Sequence, residues 1–249
     1  MENNFLNLTI NNIEKEHLCC AIADKKHQAG VRIKREWLSE RIKEGHTFRK
    51  LHEKGKVFIE YAPLETAWVP VEGKNFIYIY CLWVSGSFKG KGYGRELLRY
   101  CLDEAREQGK SGVCIISSKK KKPFLSDGKF MKKFGFITVD TIGDEYELLS
   151  LSFDGTEPKF IENAKKQKND SDILTIYYSF QCPYIQNCIE EIKEYCCTNN
   201  IHFNLILVDT LEKAKNVPGV FNNWAVFYNG KFETVHLLNK SYLMKLIAK

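Results

Sequence analysis

Lys89-Gly90-Lys91-Gly92-Tyr93-Gly94-Arg95 is the stretch on which the reading of this chain turns. Before it, Asn75 to Val84 is an apolar run that reads as a long, largely buried strand. After it, Leu97, Leu98, Cys101, Leu102 and Ala105 recur at helical spacing between Arg95 and Gln108. A glycine loop between a strand and a helix puts backbone N–H groups at a helix N-terminus, where they can surround an anion. Glycine lacks Cβ, so the loop can take positive φ and approach a pyrophosphate closely, while Lys89, Lys91 and Arg95 add positive charge. A plain tight turn is the alternative for so short a pattern. A Walker loop needs GxxxxGK[ST], and a dinucleotide fingerprint needs another glycine spacing with an acidic residue about 20 positions on. Neither fits this loop.

Outward from the loop, Ile13 to about His52 carries apolar residues at mixed three and four spacing, which predicts two helices. Lys56 to Tyr61 and Thr66 to Val71 read as strands around a turn at Pro63. Downstream, Gly112 to Ser117 is a strand, Gly128 to Phe134 a short helix, and Phe136 to Asp140 with Glu145 to Phe153 two closing strands. Thr156 to Asp172 has the polar composition of a connector. Beyond it come a strand (Ile173 to Ser179), a helix (Pro183 to Asn199), a strand (His202 to Asp209) and a short helix (Thr210 to Asn216). A hairpin (Trp224 to Leu237) turning at Asn229-Gly230 and a last helix (Lys240 to Ala248) follow. The division is therefore residues 1–155, a linker at 156–172, and a second domain at 173–249.

The chain has 249 residues, 44% of them hydrophobic, and a formal charge of +6 from 37 basic and 31 acidic residues. This supports two compact cores and a mild preference for anionic ligands, without the basic, aromatic-interleaved face of a nucleic-acid binder. Lys119 to Lys122, before Pro123, reads as a solvated loop. No secretory leader or membrane span is seen, so the chain is expected in the cytoplasm. Nine cysteines then imply reduced thiols. The adjacent pairs Cys19-Cys20 and Cys196-Cys197 suit one buried thiol per helix face more than tetrahedral metal binding, so no metal is expected.

Lys89-Gly90-Lys91-Gly92-Tyr93-Gly94 resembles the [Q/R]xxGx[G/A] coenzyme A motif of the GNAT N-acetyltransferases, with Lys in the first place. Phe130-Met131-Lys132-Lys133-Phe134-Gly135-Phe136 resembles that family's FYxKxGF segment. The resemblance implies an α/β fold with a mixed sheet whose strand Asn75 to Val84 splays from Gly112 to Ser117, leaving a slot for a pantetheine arm. Leu82, Trp83 and Val84 would meet that arm, and the amides of Gly90, Lys91, Gly92, Tyr93, Gly94 and Arg95, beside Lys89, would hold the pyrophosphate of acetyl-CoA. It also implies acetyl transfer to an amine of a small molecule or peptide. Met131 stands where the family often has a Tyr that protonates the leaving thiolate. As general base we consider Glu60, in Val57-Phe58-Ile59-Glu60-Tyr61, because a carboxylate among apolar neighbours can have a raised pKa. An outward-facing strand Glu fits the same pattern, and Tyr61, Tyr78 and Tyr80 fit packing residues of strands.

The second domain's βαβαββα order resembles a thioredoxin fold, and Phe180-Gln181-Cys182-Pro183-Tyr184 looks like the start of its CPxC loop, with Ile185 in place of the second Cys. Cys188 would lie on the helix and face elsewhere. Cys182, ahead of a helix N-terminus, is the candidate reactive thiol. With Lys122-Pro123-Phe124-Leu125-Ser126-Asp127, the two-part chain resembles the YoaP group of bacterial acetyltransferases over its whole length. Three functions are thus in view: an acetyltransferase, a non-catalytic coenzyme A-binding or regulatory module, and a thiol-dependent protein using Cys182.

Overall fold

A computed structural model describes residues 5–18, 21–22 and 24–248. The Cys19-Cys20 pair lies outside the described residues. In chain order the first part contains β1 (Phe5–Asn7), α1 (Gln28–Ile42), β2 (Thr47–Leu51), β3 (Val57–Pro63), β4 (Val71–Glu72), β5 (Phe76–Val84) and α2 (Tyr93–Glu107). It continues with β6 (Gly112–Ser118), α3 (Gly128–Lys132), β7 (Ile137–Ile142), β8 (Tyr146–Ser152), β9 (Lys159–Phe160) and α4 (Glu162–Lys165). Seven strands form one mixed sheet in the order β1-β2-β3-β5-β6-β8-β7, in which β5 and β6 are the parallel pair and α2 the crossover between them. α2 buries Leu97, Leu98, Cys101, Leu102 and Ala105 against Ile59, Ile77, Ile79 and Ile115, as its periodicity predicts. Each such leucine is worth about 1.5–3 kcal/mol of burial.

Two expectations for this part are corrected. Among the described residues between Ile13 and His52 there is one α-helix, α1, and the stretch ends in a strand, β2. β2 hides its period because Arg49 and Lys50 are buried with partners, Asn7 at 3.0 Å and Glu16 at 2.8 Å, so both faces of the strand are shielded. Thr66 to Val71 is largely irregular, with a strand only from Val71. Its apolar residues are buried as a loop, Trp68 packing on Phe221 and Val208 of the C-terminal part.

The stretch expected as a connector is itself packed. β9 pairs with β4, Phe160 and Ala164 are fully buried, and Asp140 accepts the Phe160 N–H at 2.8 Å. Beyond it lie β10 (Leu174–Tyr178), α5 (Ile185–Thr198), β11 (Phe203–Leu207), α6 (Leu211–Lys215), β12 (Trp224–Tyr228), β13 (Lys231–Thr234) and α7 (Lys240–Ile247). The sheet order is β11-β10-β12-β13, with β10 parallel to β11 and antiparallel to β12. Strand alternation sorts its two faces: Trp224 and Val226 pack under α5 and α7, while Ala225 and Phe227 join the cluster that includes Trp68. One apolar cluster also unites Tyr78, Ile116 and Tyr146 with Val220 and Val235, so the two sheets share core.

Candidate active site

β5 and β6 pair only over Phe76, Ile77 and Tyr78 against Gly112, Val113 and Cys114, although β5 runs on to Val84. Past Tyr78 the strands separate, and the β5 groups that face the gap have no ladder partner on that side. Against β3 the register steps from Tyr61↔Ile79 to Glu60↔Cys81, so Tyr80 is an extra residue, a bulge at the mouth of the gap. Its carbonyl accepts the Asn222 side-chain N–H at 3.2 Å, and the Tyr78 hydroxyl donates to Asn222 Oδ1 at 2.8 Å. One asparagine from the C-terminal part thus steadies the splayed strand. Nothing local in the sequence marks this bulge, which exists only in the register between two strands.

Leu82 and Val84 lie half-buried against the α2 core, and Trp83 is 47% exposed. The glycine loop has the form its composition predicts: φ is +78° at Gly90 and +88° at Gly92, a left-handed cap from which α2 starts. Arg95 and Glu96 donate back to the Gly92 carbonyl, while the amides before them precede the helical ladder and are available to an anion. Lys89, Lys91 and Arg95 are exposed around them. Tyr93 packs instead, its ring edge-on to Phe5, and Gly94 sits between Val84 and Phe130. A groove of about 440 Å³ beside the loop is lined by Arg95, Arg99, Phe130, Lys133 and Phe134, joining the two quoted motifs in space. These residues fit a long anionic thioester carrier. The splayed strand supplies an unpaired backbone edge, the loop supplies amides, and the groove supplies cations and aromatic faces.

On the opposite face, β3, β5 and the C-terminal part enclose a cleft of about 610 Å³. Glu60 lies in its floor, fully buried. Lys34 of α1 donates to Glu60 Oε2 at 2.6 Å, Gln181 Nε2 donates to the same oxygen at 2.9 Å, and His46 Nε2 is 3.0 Å from Oε1. The expected rise in its pKa is reversed. Burial alone would raise it, but the Lys34 charge and the His46 hydrogen bond outweigh burial and hold the carboxyl below its ordinary value. Nor is it an outward-facing residue. Sequence reasoning missed Lys34, His46 and Gln181, because a lone Lys or His on a helix or loop carries no local sign of a buried partner.

Cys182 lines the same cleft, half-buried, one residue after the Gln181 that binds Glu60. Lys34 also donates to the Gln181 carbonyl, fixing the loop before α5. Cys188 faces away, its thiol donating to the Leu238 carbonyl at 3.1 Å and pushed up to about 12 by burial. On α5, Cys196 is buried and Cys197 exposed, one thiol to the core face. Met131 is buried in the α2 core and offers no proton. Tyr61 donates to Glu104 on that same side, and Tyr80 accepts the Trp68 N–H at 2.6 Å. The lysine run divides: Lys119 and Lys120 are exposed as a solvated loop, whereas Lys121 and Lys122 line the cleft. Among the described residues no cluster of metal ligands occurs and no helix is long and apolar enough to cross a membrane.

Comparison with known proteins adds to this geometry. Residues 10–136 match the family described as Acetyltransferase (GNAT) family, and residues 202–245 match one described as YoaP-like. A Bacillus subtilis (strain 168) protein named Uncharacterized N-acetyltransferase YoaP is 36% identical over 245 residues, covering 98% of both chains. Among solved structures, a GNAT-family acetyltransferase from Brucella melitensis in complex with acetyl-CoA is similar at 17% identity and a TM-score of 0.41, covering 63% of this chain and 91% of that one. The PaiA N-acetyltransferase of Thermoplasma acidophilum in complex with coenzyme A is similar at 16% identity and a TM-score of 0.41, covering 60% and 99%.

Proposed function

This chain belongs to the GNAT family of acetyltransferases, and from that premise we propose that it transfers an acetyl group from acetyl-CoA to an amine of a small molecule or peptide in the cleft between its two parts. The observation that carries this assignment is the end of β5–β6 pairing at Tyr78, with the Tyr80 bulge, directly upstream of a left-handed glycine cap on α2. Acetyl-CoA supplies the thioester carbonyl. The free edge of β5 at Leu82, Trp83 and Val84 binds the arm that carries it, and the amides from Gly90 to Gly94 bind its pyrophosphate, the Arg95 amide being spent on the Gly92 carbonyl, with Lys89, Lys91 and the Arg95 side chain neutralising charge.

The acceptor amine approaches from the cleft side and must be neutral to attack. Glu60 has both oxygens engaged and a lowered pKa, which makes direct abstraction of a proton unfavourable. We assign it a positioning role: with Lys34 and Gln181 it holds the loop of Cys182 over the cleft. The C-terminal part is read as thioredoxin-like, supported by its strand order and directions. A cytoplasmic site belongs to the same proposal, supported by the apolar packing of Cys101, Cys114, Cys188 and Cys196 as reduced core thiols.

Calorimetric titration with acetyl-CoA and with CoA tests the assignment. Saturable binding is expected, and is lost when Gly90 and Gly92 are replaced by Val, because a β-branched residue is strained at positive φ. Absence of binding by the unmodified chain would overturn the assignment. One observation favours a thiol-dependent step instead, the lining of the cleft by Cys182. Cys182→Ser separates the two: unchanged turnover removes the thiol from the reaction, and loss of turnover with intact acetyl-CoA binding puts it there.

A further inference from the structure

The charge in the cleft is not balanced. Lys34, Lys56, Lys121 and Lys122 line it, and among the described residues Glu60 is the carboxylate that does. Lys34 is matched by Glu60 at 2.6 Å, and Lys122 by Glu145 at 2.6 Å. Lys56 and Lys121 have no carboxylate within ion-pair distance among the described residues. Two positive charges therefore stand over the cleft without partners, and walls of low dielectric focus their field on whatever enters.

The floor cannot answer that charge. Glu60 is saturated by Lys34, Gln181 and His46, Asn223 donates to Gln181 Oε1 at 2.7 Å, and Asn222 is spent on Tyr78 and Tyr80. Around it the walls are apolar, formed by Trp83, Phe124, Leu125, Pro183 and Tyr184, with Trp83 47% and Phe124 37% exposed. A ligand that fits has an apolar body for the walls and an anionic group for Lys56 and Lys121. The same field repels cations, so a polyamine meets an unfavourable site, and it favours the neutral form of any amine that enters, which is the form that attacks.

We propose that the acceptor is an amine that also bears a carboxylate on an apolar body, an apolar amino acid being the simplest example, with Lys56 and Lys121 as the groups that select it. This rests on the acetyltransferase assignment above and specifies its acceptor. The test pairs L-phenylalanine, L-leucine and L-methionine with their decarboxylated amines, adds spermidine, and uses the full chain. Binding of each to the CoA-saturated protein is measured by calorimetry, and thiol release from acetyl-CoA is followed spectrophotometrically. The carboxylate-bearing member of a pair is expected to be favoured by about tenfold, with spermidine weakest. In the Lys56→Gln, Lys121→Gln double variant that ratio falls towards one while acetyl-CoA affinity stays unchanged. Equal or better binding of the decarboxylated amines or spermidine, no binding of any amino acid tried, or a preference that survives the double variant would each overturn the acceptor class. In all three cases intact acetyl-CoA binding leaves the acetyltransferase assignment standing, and its absence overturns that assignment as well.

Discussion

Lys34 and Glu60 meet at 2.6 Å with both side chains almost wholly removed from water, so neither charge can be deleted alone without stranding the other. Glu60→Gln keeps the shape and removes the balancing charge, and is expected to cost about 3–5 kcal/mol of stability. The pH dependence follows in the same direction. Burial holds His46 below its ordinary value of 6.5, so the unfolded chain takes up more protons than the folded one once the pH drops beneath 6.5, and stability declines. Glu60 is held below its ordinary 4.5, so its contribution is present above 4.5 and is lost as the pH falls through the folded value. Thermal melts of the two proteins from pH 8 to 4 check this. The unmodified chain should lose stability from about pH 6.5 downward and more steeply below about 4.5, where the Glu60→Gln profile falls less steeply, since other carboxylates held low by their partners, Glu16 and Glu147 among them, titrate in both proteins. Parallel profiles would mean that Glu60 is not the ionised centre of the floor.

Elements were legible where one periodicity governed them. α2 carries a single buried stripe after a glycine cap, and strand, loop and helix all stand where the pattern of residues 75–108 puts them. β2 was not legible, because Arg49 and Lys50 are buried by virtue of partners far away in sequence and break the alternation of a half-buried strand. A usable sign was nonetheless present at Gly45: its φ of +91° ends α1, and glycine after a helical run is a common stop. The Tyr80 bulge lies at the other extreme. It depends on how β3 and β5 are registered and on Asn222 reaching in from 142 residues away, so no window of sequence contains it. The glycine cap on α2 is a local motif and could be read; the cleft is assembled from α1, β3, β5 and the loop before α5 and could not.

At the scale of the whole molecule, what matters is how closely α1 approaches the Cys182 loop. Gly30 lies inside α1, a position where Ala would ordinarily stabilise a helix by about 1 kcal/mol. A Cβ there, however, would fall within contact distance of the Pro183 carbonyl, backbone that cannot swing aside as a side chain could. The docking of the two parts therefore reverses the sign expected from helix propensity. Nearby, Lys26 pairs with Glu191 at 2.6 Å, and Asn187 donates to the Lys26 carbonyl at 3.0 Å, so the strain would have to be absorbed across the α1–α5 contact. Gly30→Ala is expected to destabilise the chain by about 1–3 kcal/mol, the usual cost of overpacking, and to lower turnover while leaving acetyl-CoA affinity intact, since the clash falls on the Pro183 loop and not on the glycine loop or the groove lined by Arg95 and Phe130. Melting and acetyl-CoA titration of the one variant decide the matter. A gain in stability with full turnover would show that the C-terminal part does not rest on α1 as tightly as Gly30 and Pro183 require.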